Sequence, residues 1–420
     1  MSFIFQDGTL HVEQLPVVDI LTQVNETPFY LYSANQLRRN MQAYRSALAT
    51  MGDPPGRVYY ALKANNNHSL LRLLHEKDCG ATTVSGNEIR LALAAGFSPA
   101  RILFNGNGKT PSELAYAIEQ GVMLNVDSEF DLENIGRAAR KRKSTRLLFS
   151  ASGSSDRPVP VLLRLNPDID PQVHPYNATG LRQSKFGIPP ERLPWFLNRL
   201  REIPQVRLVG LHCHLGSTIT QVAVFRDAAR VMAGYFHDIA AQGFPLRFLN
   251  MGGGLGLAPP GNESVPTPAD LVAAIQDTLP AGATLILEPG RSIVGDAGIL
   301  VCRVIGVKDN GTKKFIVTDG SMAELIRPSL YDAYHDIAYI TPVAGEVAEF
   351  DIVGPVCESG DFLGKNRRLP PPPAGTGAPE LALAVFHAGA YGYAMSSNYN
   401  ARLRPAEYLV EGDELTMIRR

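Results

Sequence analysis

Between residues 206 and 256 the chain reads Val206-Arg-Leu-Val-Gly-Leu-His-Cys-His-Leu-Gly-Ser217, continues through Gln221–Ala241, and resumes as Leu246-Arg-Phe-Leu-Asn-Met-Gly-Gly-Gly-Leu-Gly256. The outer runs are short and apolar and end in polar or glycine residues, as buried parallel strands do. The middle segment places Val222, Phe225, Ala229, Met232, Phe236 and Ile239 on one stripe at helical spacing. Strand, helix and strand in so short a span make a βαβ unit, whose crossover leaves the two strands parallel.

The same alternation extends in both directions. Strand-like runs lie near Val58–Leu62, Ala81–Val84, Ile102–Phe104, Val122–Val126, Val159–Leu165 and Thr284–Leu287, with helical patterns between them. With the two runs above this makes eight strands, which predicts a (β/α)8 TIM-like barrel over residues 34–291. After Arg291 the texture changes to strands joined by turns, at Gly298–Val307, Phe315–Thr318, Val347–Val353 and Leu381–Phe386. Phe3–Val12 and Pro28–Tyr32 read the same way. Residues 1–33 and 292–420 therefore form a second, β-rich domain, a C-terminal sandwich or barrel that takes in the N-terminal strands. Ser150–Pro158 and Leu369–Pro379 read as exposed loops, the latter because its run of prolines cannot join a central strand.

Composition narrows the function classes. Lys and Arg number 40 against 41 Asp and Glu, for a formal charge of −1. That balance excludes a chain that grips nucleic-acid backbones by net charge. No apolar run approaches the ~20 residues of a membrane span. Four cysteines in 420 residues, none at C-x-x-C spacing, read as free thiols in a reducing compartment. With no signal peptide visible at Met1–Leu10, the expected location is the cytoplasm.

In a barrel of this kind, chemistry sits at the C-terminal ends of the strands. Lys63 follows strand one and Ser85-Gly86 strand two, while Asn105, Asp127 and Asn166 follow strands three to five. His212 and His214 follow strand six, Gly252-Gly253-Gly254 strand seven, and Glu288-Pro289-Gly290-Arg291 strand eight. The glycine run lets backbone N–H groups approach an anion, although a plain strand-to-helix turn would use it equally. It does not spell a dinucleotide fingerprint, so a single phosphate monoester is the better match. Lys63 at such a rim can form a Schiff base with an aldehyde cofactor, and Glu288 can pair with a pyridinium nitrogen, which together suggest pyridoxal 5'-phosphate. His212-Cys-His214 can be read as a metal pair, but such sites need three or more ligands and no other histidine falls at a clear strand end, so no metal is expected.

Together these residues resemble the fold-type III pyridoxal-phosphate decarboxylases, in particular the diaminopimelate decarboxylase family. The matching segments are Tyr60-Ala-Leu-Lys-Ala-Asn65, Ser85-Gly-Asn-Glu88, Lys185-Phe-Gly-Ile188, His212-Cys-His-Leu-Gly-Ser217, Gly252-Gly-Gly-Leu-Gly256 and Glu288-Pro-Gly-Arg291. Further matches are Arg327-Pro-Ser-Leu-Tyr-Asp-Ala-Tyr-His335, Cys357-Glu-Ser-Gly-Asp361, Gly389-Ala-Tyr-Gly-Tyr-Ala-Met395 and Ser397-Asn-Tyr-Asn400. The resemblance implies that Lys63 carries the cofactor and His214 stacks on its ring. Ser217, Gly252, Gly253, Gly254, Pro289, Gly290 and Tyr391 would help to hold the cofactor, its phosphate above all, with Glu288 on the ring nitrogen. Arg291, Arg327 and Tyr331, near Tyr391, would bind the carboxylate the substrate keeps, and Glu358 its distal ammonium. Cys357 would donate a proton from the other subunit of a homodimer. The implied reaction is decarboxylation of meso-2,6-diaminopimelate to L-lysine; a related enzyme acting on another amino acid, carrier-bound or polyamine-type substrate is the alternative. Asn87, Thr218 and Glu26 depart from the family pattern, and none of them removes a named group.

Overall fold

The computed structural model describes residues 2–149, 157–171, 173, 179–180, 183–257, 265–373 and 381–420. The chain divides into two compact units. The first comprises Met41–Gly256 and Ser264–Gly290. The second is built mainly from Met1–Asn40 and Arg291–Arg420, so the helix Ala34–Ala49 crosses the boundary.

The first unit is a closed barrel of eight parallel strands. In chain order they are β1 (Arg57–Ala61), β2 (Gly80–Thr83), β3 (Ile102–Phe104), β4 (Met123–Val126), β5 (Val159–Arg164), β6 (Val206–His212), β7 (Phe248–Asn250) and β8 (Thr284–Leu287). β8 closes on β1 through Ile286–Arg57 and Leu287–Val58, so every strand pairs on both edges. All eight fall where the apolar runs place them. The barrel interior is filled by Tyr59, Leu103, Met123, Leu162, Val209 and Ile286. The helix Val222–Ala241 buries Phe225, Ala229, Met232, Phe236 and Ile239 as its stripe predicts. Val222 at its first turn is only half-buried, while Val224 and Ala228 are buried. Helix Pro111–Gln120 starts with a capping box between Thr110 and Glu113, and Gly121 ends it in the left-handed conformation.

The second unit holds a small three-stranded sheet formed by Phe3–Gln6, Thr9–Val12 and Leu15–Pro16, and a mixed nine-stranded one. Its spine is Gly298–Asp309, whose register breaks between Val304 and Gly306. The first half of that strand pairs with Phe29–Ser33 and Ala382–Val385, the second half with Lys314–Thr318. Ala406–Glu411 lies parallel to Phe29–Ser33, which is how the N-terminal segment joins this unit. Leu10, Val12, Phe29, Leu31, Ile299, Val301 and Val410 share its core. Four sheet strands, Ile337–Tyr339, Phe362–Leu369, Ala406–Glu411 and Glu414–Arg419, lie outside the runs the sequence predicts; in Phe362–Leu369 the polar stretch Lys365-Asn-Arg-Arg368 hides the pattern. The proline-rich stretch after Leu369 has no regular structure through residue 373, and its remainder lies outside the described residues, as does most of Ser150–Pro158.

Candidate active site

The polar residues that close the barrel strands converge on Glu288, immediately after β8. Its buried carboxylate takes Thr82 Oγ1 and Asn250 Nδ2 at 2.9 Å on Oε1, Asn105 Nδ2 at 3.1 Å on both oxygens, and His212 Nε2 at 3.2 Å on Oε2. Burial alone would raise the pKa of this group. The His212 contact and the hydrogen bonds from Asn250 and Thr82 more than offset that and hold the carboxyl well below the usual carboxylate range. Asn250 ends an otherwise apolar strand, and that misfit is the signal by which it could have been found; Thr82, beside Thr83 in Gly80–Thr83, carries no such signal.

Two glycines beside Glu288 leave no room for a side chain. A Cβ on Gly253 would stand 2.1 Å from the Glu288 carbonyl oxygen, and one on Gly252, whose φ is +68°, would stand 2.6 Å from the Cys213 carbonyl. The turn after β6 is stitched to this run, since Ile219 N–H donates to Gly254 O and Gly256 N–H to Ile219 O, both at 2.9 Å. Ser217 precedes Thr218, which takes a left-handed φ of +67° in that turn. His214 Nδ1 accepts the Gly253 N–H at 3.3 Å. Burial, reinforced by the Lys63 charge, pushes the His214 pKa well down, so its imidazole is neutral. Lys63 follows β1 on a turn over Leu62–Ala64 and is exposed. Among the described residues it makes no hydrogen bond or ion pair. Pro289 ties the end of β8 to β1 by accepting the Ala61 N–H at 3.0 Å. A Cβ on Gly290 would press to 2.9 Å of Ala64 Cβ.

A second ring of charge supports this rim. Arg164, at the end of β5, pairs with Asp127 at 3.2 Å and lies over the Phe186 ring at 4.4 Å. Asp127 also accepts the Gly187 N–H at 2.7 Å, which anchors the Lys185-Phe-Gly-Ile188 segment. Next to it Lys109 and Asp131 form a buried ion pair at 2.6 Å. Among the described residues no group of three or more His, Cys, Asp or Glu is placed to hold a metal ion. His212 is instead hydrogen-bonded to Glu288 and Asn125.

The second unit gathers the remaining cations and tyrosines. The Arg291 guanidinium lies over the Tyr391 ring at 4.8 Å, and that of Arg327 is 5.9 Å from the Tyr331 ring centre. Tyr391 itself holds a left-handed φ of +58°. Arg327 is buried and has no carboxylate partner among the described residues. Among the described residues its one side-chain hydrogen bond runs from Nε to His335 Nε2 at 3.3 Å, while His335 Nδ1 bonds the Phe386 carbonyl at 2.8 Å. Burial first, then the Arg291 charge, pushes the Arg327 pKa down to about 9. Cys357 and Glu358 stand on a separate exposed loop. Asp361 shapes that loop by accepting the Val356 and Met322 N–H groups at 2.8 and 2.7 Å. The Cys357 thiol is free and exposed, unlike the buried Cys79, Cys213 and Cys302.

Among the described residues no helix is long and apolar enough to cross a membrane. Residues 34–295 match the family model described as the pyridoxal-binding domain of pyridoxal-dependent decarboxylases. A probable chloroplastic diaminopimelate decarboxylase of rice is 54% identical over 99% of this chain and 81% of its own. The diaminopimelate decarboxylase of Aquifex aeolicus is 39% identical over 99% of this chain and 94% of its own. The crystal structure of the Helicobacter pylori diaminopimelate decarboxylase complexed with L-lysine superposes with a TM-score of 0.87, at 34% identity over 96% of each chain. The chain belongs to the pyridoxal-dependent decarboxylases, within the diaminopimelate decarboxylase family.

Proposed function

We propose that this protein decarboxylates meso-2,6-diaminopimelate to L-lysine and carbon dioxide with pyridoxal 5'-phosphate as cofactor. The observation that carries the substrate assignment is Arg327, a buried guanidinium beside Arg291, Tyr331 and Tyr391 with no acidic partner among the described residues. A substrate that keeps a carboxylate after the reaction supplies the missing anion, and a planar guanidinium suits it. Substrates of the ornithine or polyamine type bring no such group.

The residues at the barrel rim fit the cofactor. An exposed amine with no hydrogen-bond or ion-pair partner among the described residues, a glycine run that a single Cβ would fill, a neutral imidazole and an ionised carboxylate are what a phosphorylated pyridine aldehyde requires. When bound, it supplies an electron sink for the pair left as carbon dioxide departs. Lys63 would hold the aldehyde carbon. Glu288, ionised by its donors, would keep a proton on the ring nitrogen. His214, uncharged, would lie against the ring, where a cation would oppose that proton. Backbone N–H groups of Gly252, Gly253, Gly254 and Gly290, with Ser217 and Tyr391, would take the phosphate.

Arg291, Arg327 and Tyr331 orient the retained carboxylate, and Glu358 meets the distal ammonium. Cys357 delivers a proton to the carbon that has lost its carboxylate. Its exposure supports a role in a homodimer, where each subunit's loop serves its partner's site. The reducing environment its free thiols need favours the cytoplasm. The test is turnover of the purified chain with added pyridoxal 5'-phosphate. Wild type releases carbon dioxide from meso-diaminopimelate and Lys63→Ala does not; a Lys63→Ala variant with near wild-type turnover sinks the assignment.

A further inference from the structure

The first histidine of His212-Cys-His214 is left without a task by the reaction, yet it is fully buried at the centre of the rim. Its ring is held from both sides. Asn125 Nδ2 lies 2.8 Å from Nδ1, and Nε2 lies 3.2 Å from Glu288 Oε2. An amide N–H donated to Nδ1 makes that nitrogen the acceptor, so Nε2 carries the proton and donates it to the carboxylate. The two oxygens of Glu288 are not served alike. Among the described residues Oε1 takes Thr82, Asn250 and Asn105, whereas Oε2 takes only His212 and the proton it shares from Asn105. Oε2 is therefore the oxygen with capacity for one more donor, and His212 is the residue that fixes it.

We propose that His212, oriented by Asn125, is a positioning residue that holds Glu288 Oε2 ionised and aimed for the cofactor's ring nitrogen. The part concerning the ring rests on the function proposed above; the part concerning Glu288 does not. The other ionisable groups near the imidazole are Arg164 and Asp127, which form an ion pair with each other, and the neutral His214, so Asn125 on Nδ1 and Glu288 on Nε2 together set its tautomer. Burial lowers the pKa of His212, in keeping with a neutral donor rather than an imidazolium. Such partners of a functional group commonly weaken it 10- to 100-fold when removed, on the order seen around metal ligands.

The experiment uses the full chain and two readouts. Isotope-edited infrared titration, with Glu288→Gln as the subtraction, follows the Glu288 carboxyl directly. In His212→Leu its midpoint rises by about 1–2 pH units, the equivalent of one hydrogen bond to a charged group. In the holoenzyme, cofactor affinity falls by about 10- to 100-fold while the substrate KM stays within about threefold. His212→Gln, which keeps an N–H donor, recovers most of both losses. A wild-type midpoint in His212→Leu overturns the proposal, and so does a His212→Gln no better than His212→Leu. Should His212→Leu fail to fold, Asn125→Leu lets the ring proton leave Nε2 and must raise the same midpoint; an unchanged one overturns the proposal. If Glu288→Gln leaves cofactor affinity and absorbance unaltered, the ring assignment fails instead, and the infrared titration still decides the role of His212.

Discussion

Replacing Arg327 with methionine separates binding from stability in opposite directions. The guanidinium is 7% exposed, and its neighbours include a second cation, Arg291, but no acid among the described residues. Its folded pKa lies below its unfolded value, so the folded protein must charge a group it holds poorly. That penalty is fully present below pH 9 and relieved only as pH rises towards the unfolded value. At neutral pH it costs the free protein ~1–3 kcal/mol once local relaxation is allowed for, less ~1 kcal/mol for the lost contact to His335. Arg327→Met should therefore be as stable as wild type or up to ~2 kcal/mol more stable in denaturant titrations. Substrate binding moves the other way. Losing a charge-assisted contact to a buried carboxylate is worth ~2–3 kcal/mol, which raises KM by ~30- to 150-fold. L-Lysine at 100 times its wild-type Kd should stabilise wild type by ~2.7 kcal/mol and the variant hardly at all. A variant that loses more than ~3 kcal/mol of stability yet binds substrate within threefold of wild type would refute the reasoning, because Arg327 would then be a structural cation.

Three further outcomes follow from other residues. Cys357→Ala should retain cofactor but slow product formation by ~10²- to 10⁴-fold, the range of a lost general acid; loss of cofactor would mark a structural cysteine. Lys109→Met leaves Asp131 buried without its cation and should cost ~3–5 kcal/mol in denaturant unfolding, whereas an effect under 1 kcal/mol would show that the pair is not desolvated. Burial raises the Glu88 pKa to about 6, against the Val84 N–H that lowers it, so its ionisation weakens the fold as pH climbs from its unfolded pKa to about 6. Glu88→Gln should thus gain up to ~2 kcal/mol over wild type between pH 4.5 and pH 7, and a pH-independent difference would contradict this.

The barrel was legible because each strand is an apolar run that stops at a polar or glycine residue, and those stops are the rim. Lys63, His214, Gly253 and Glu288 were readable from that grammar alone. Their support was not. Asn105 and Glu288 are 183 residues apart, and Thr82 lies 206 from its partner, so only the closed barrel brings them together. His212 was visible at the end of strand six but had no role once the metal reading was set aside, because a sequence does not show which carboxylate an imidazole faces. The same limit hid His335, whose role exists only through Arg327. Phe362–Leu369 was missed for a different reason: its Lys365-Asn-Arg-Arg368 segment offers no alternation, and the strand is set by its pairing with Ala348–Val353.

The most direct test supplies the purified protein with meso-diaminopimelate, ornithine, arginine or lysine, each with and without pyridoxal 5'-phosphate, and measures carbon dioxide. The account predicts release from diaminopimelate alone, dependent on the cofactor and matched by L-lysine formed. Comparable release from ornithine or arginine, or release from diaminopimelate without the cofactor, would contradict it.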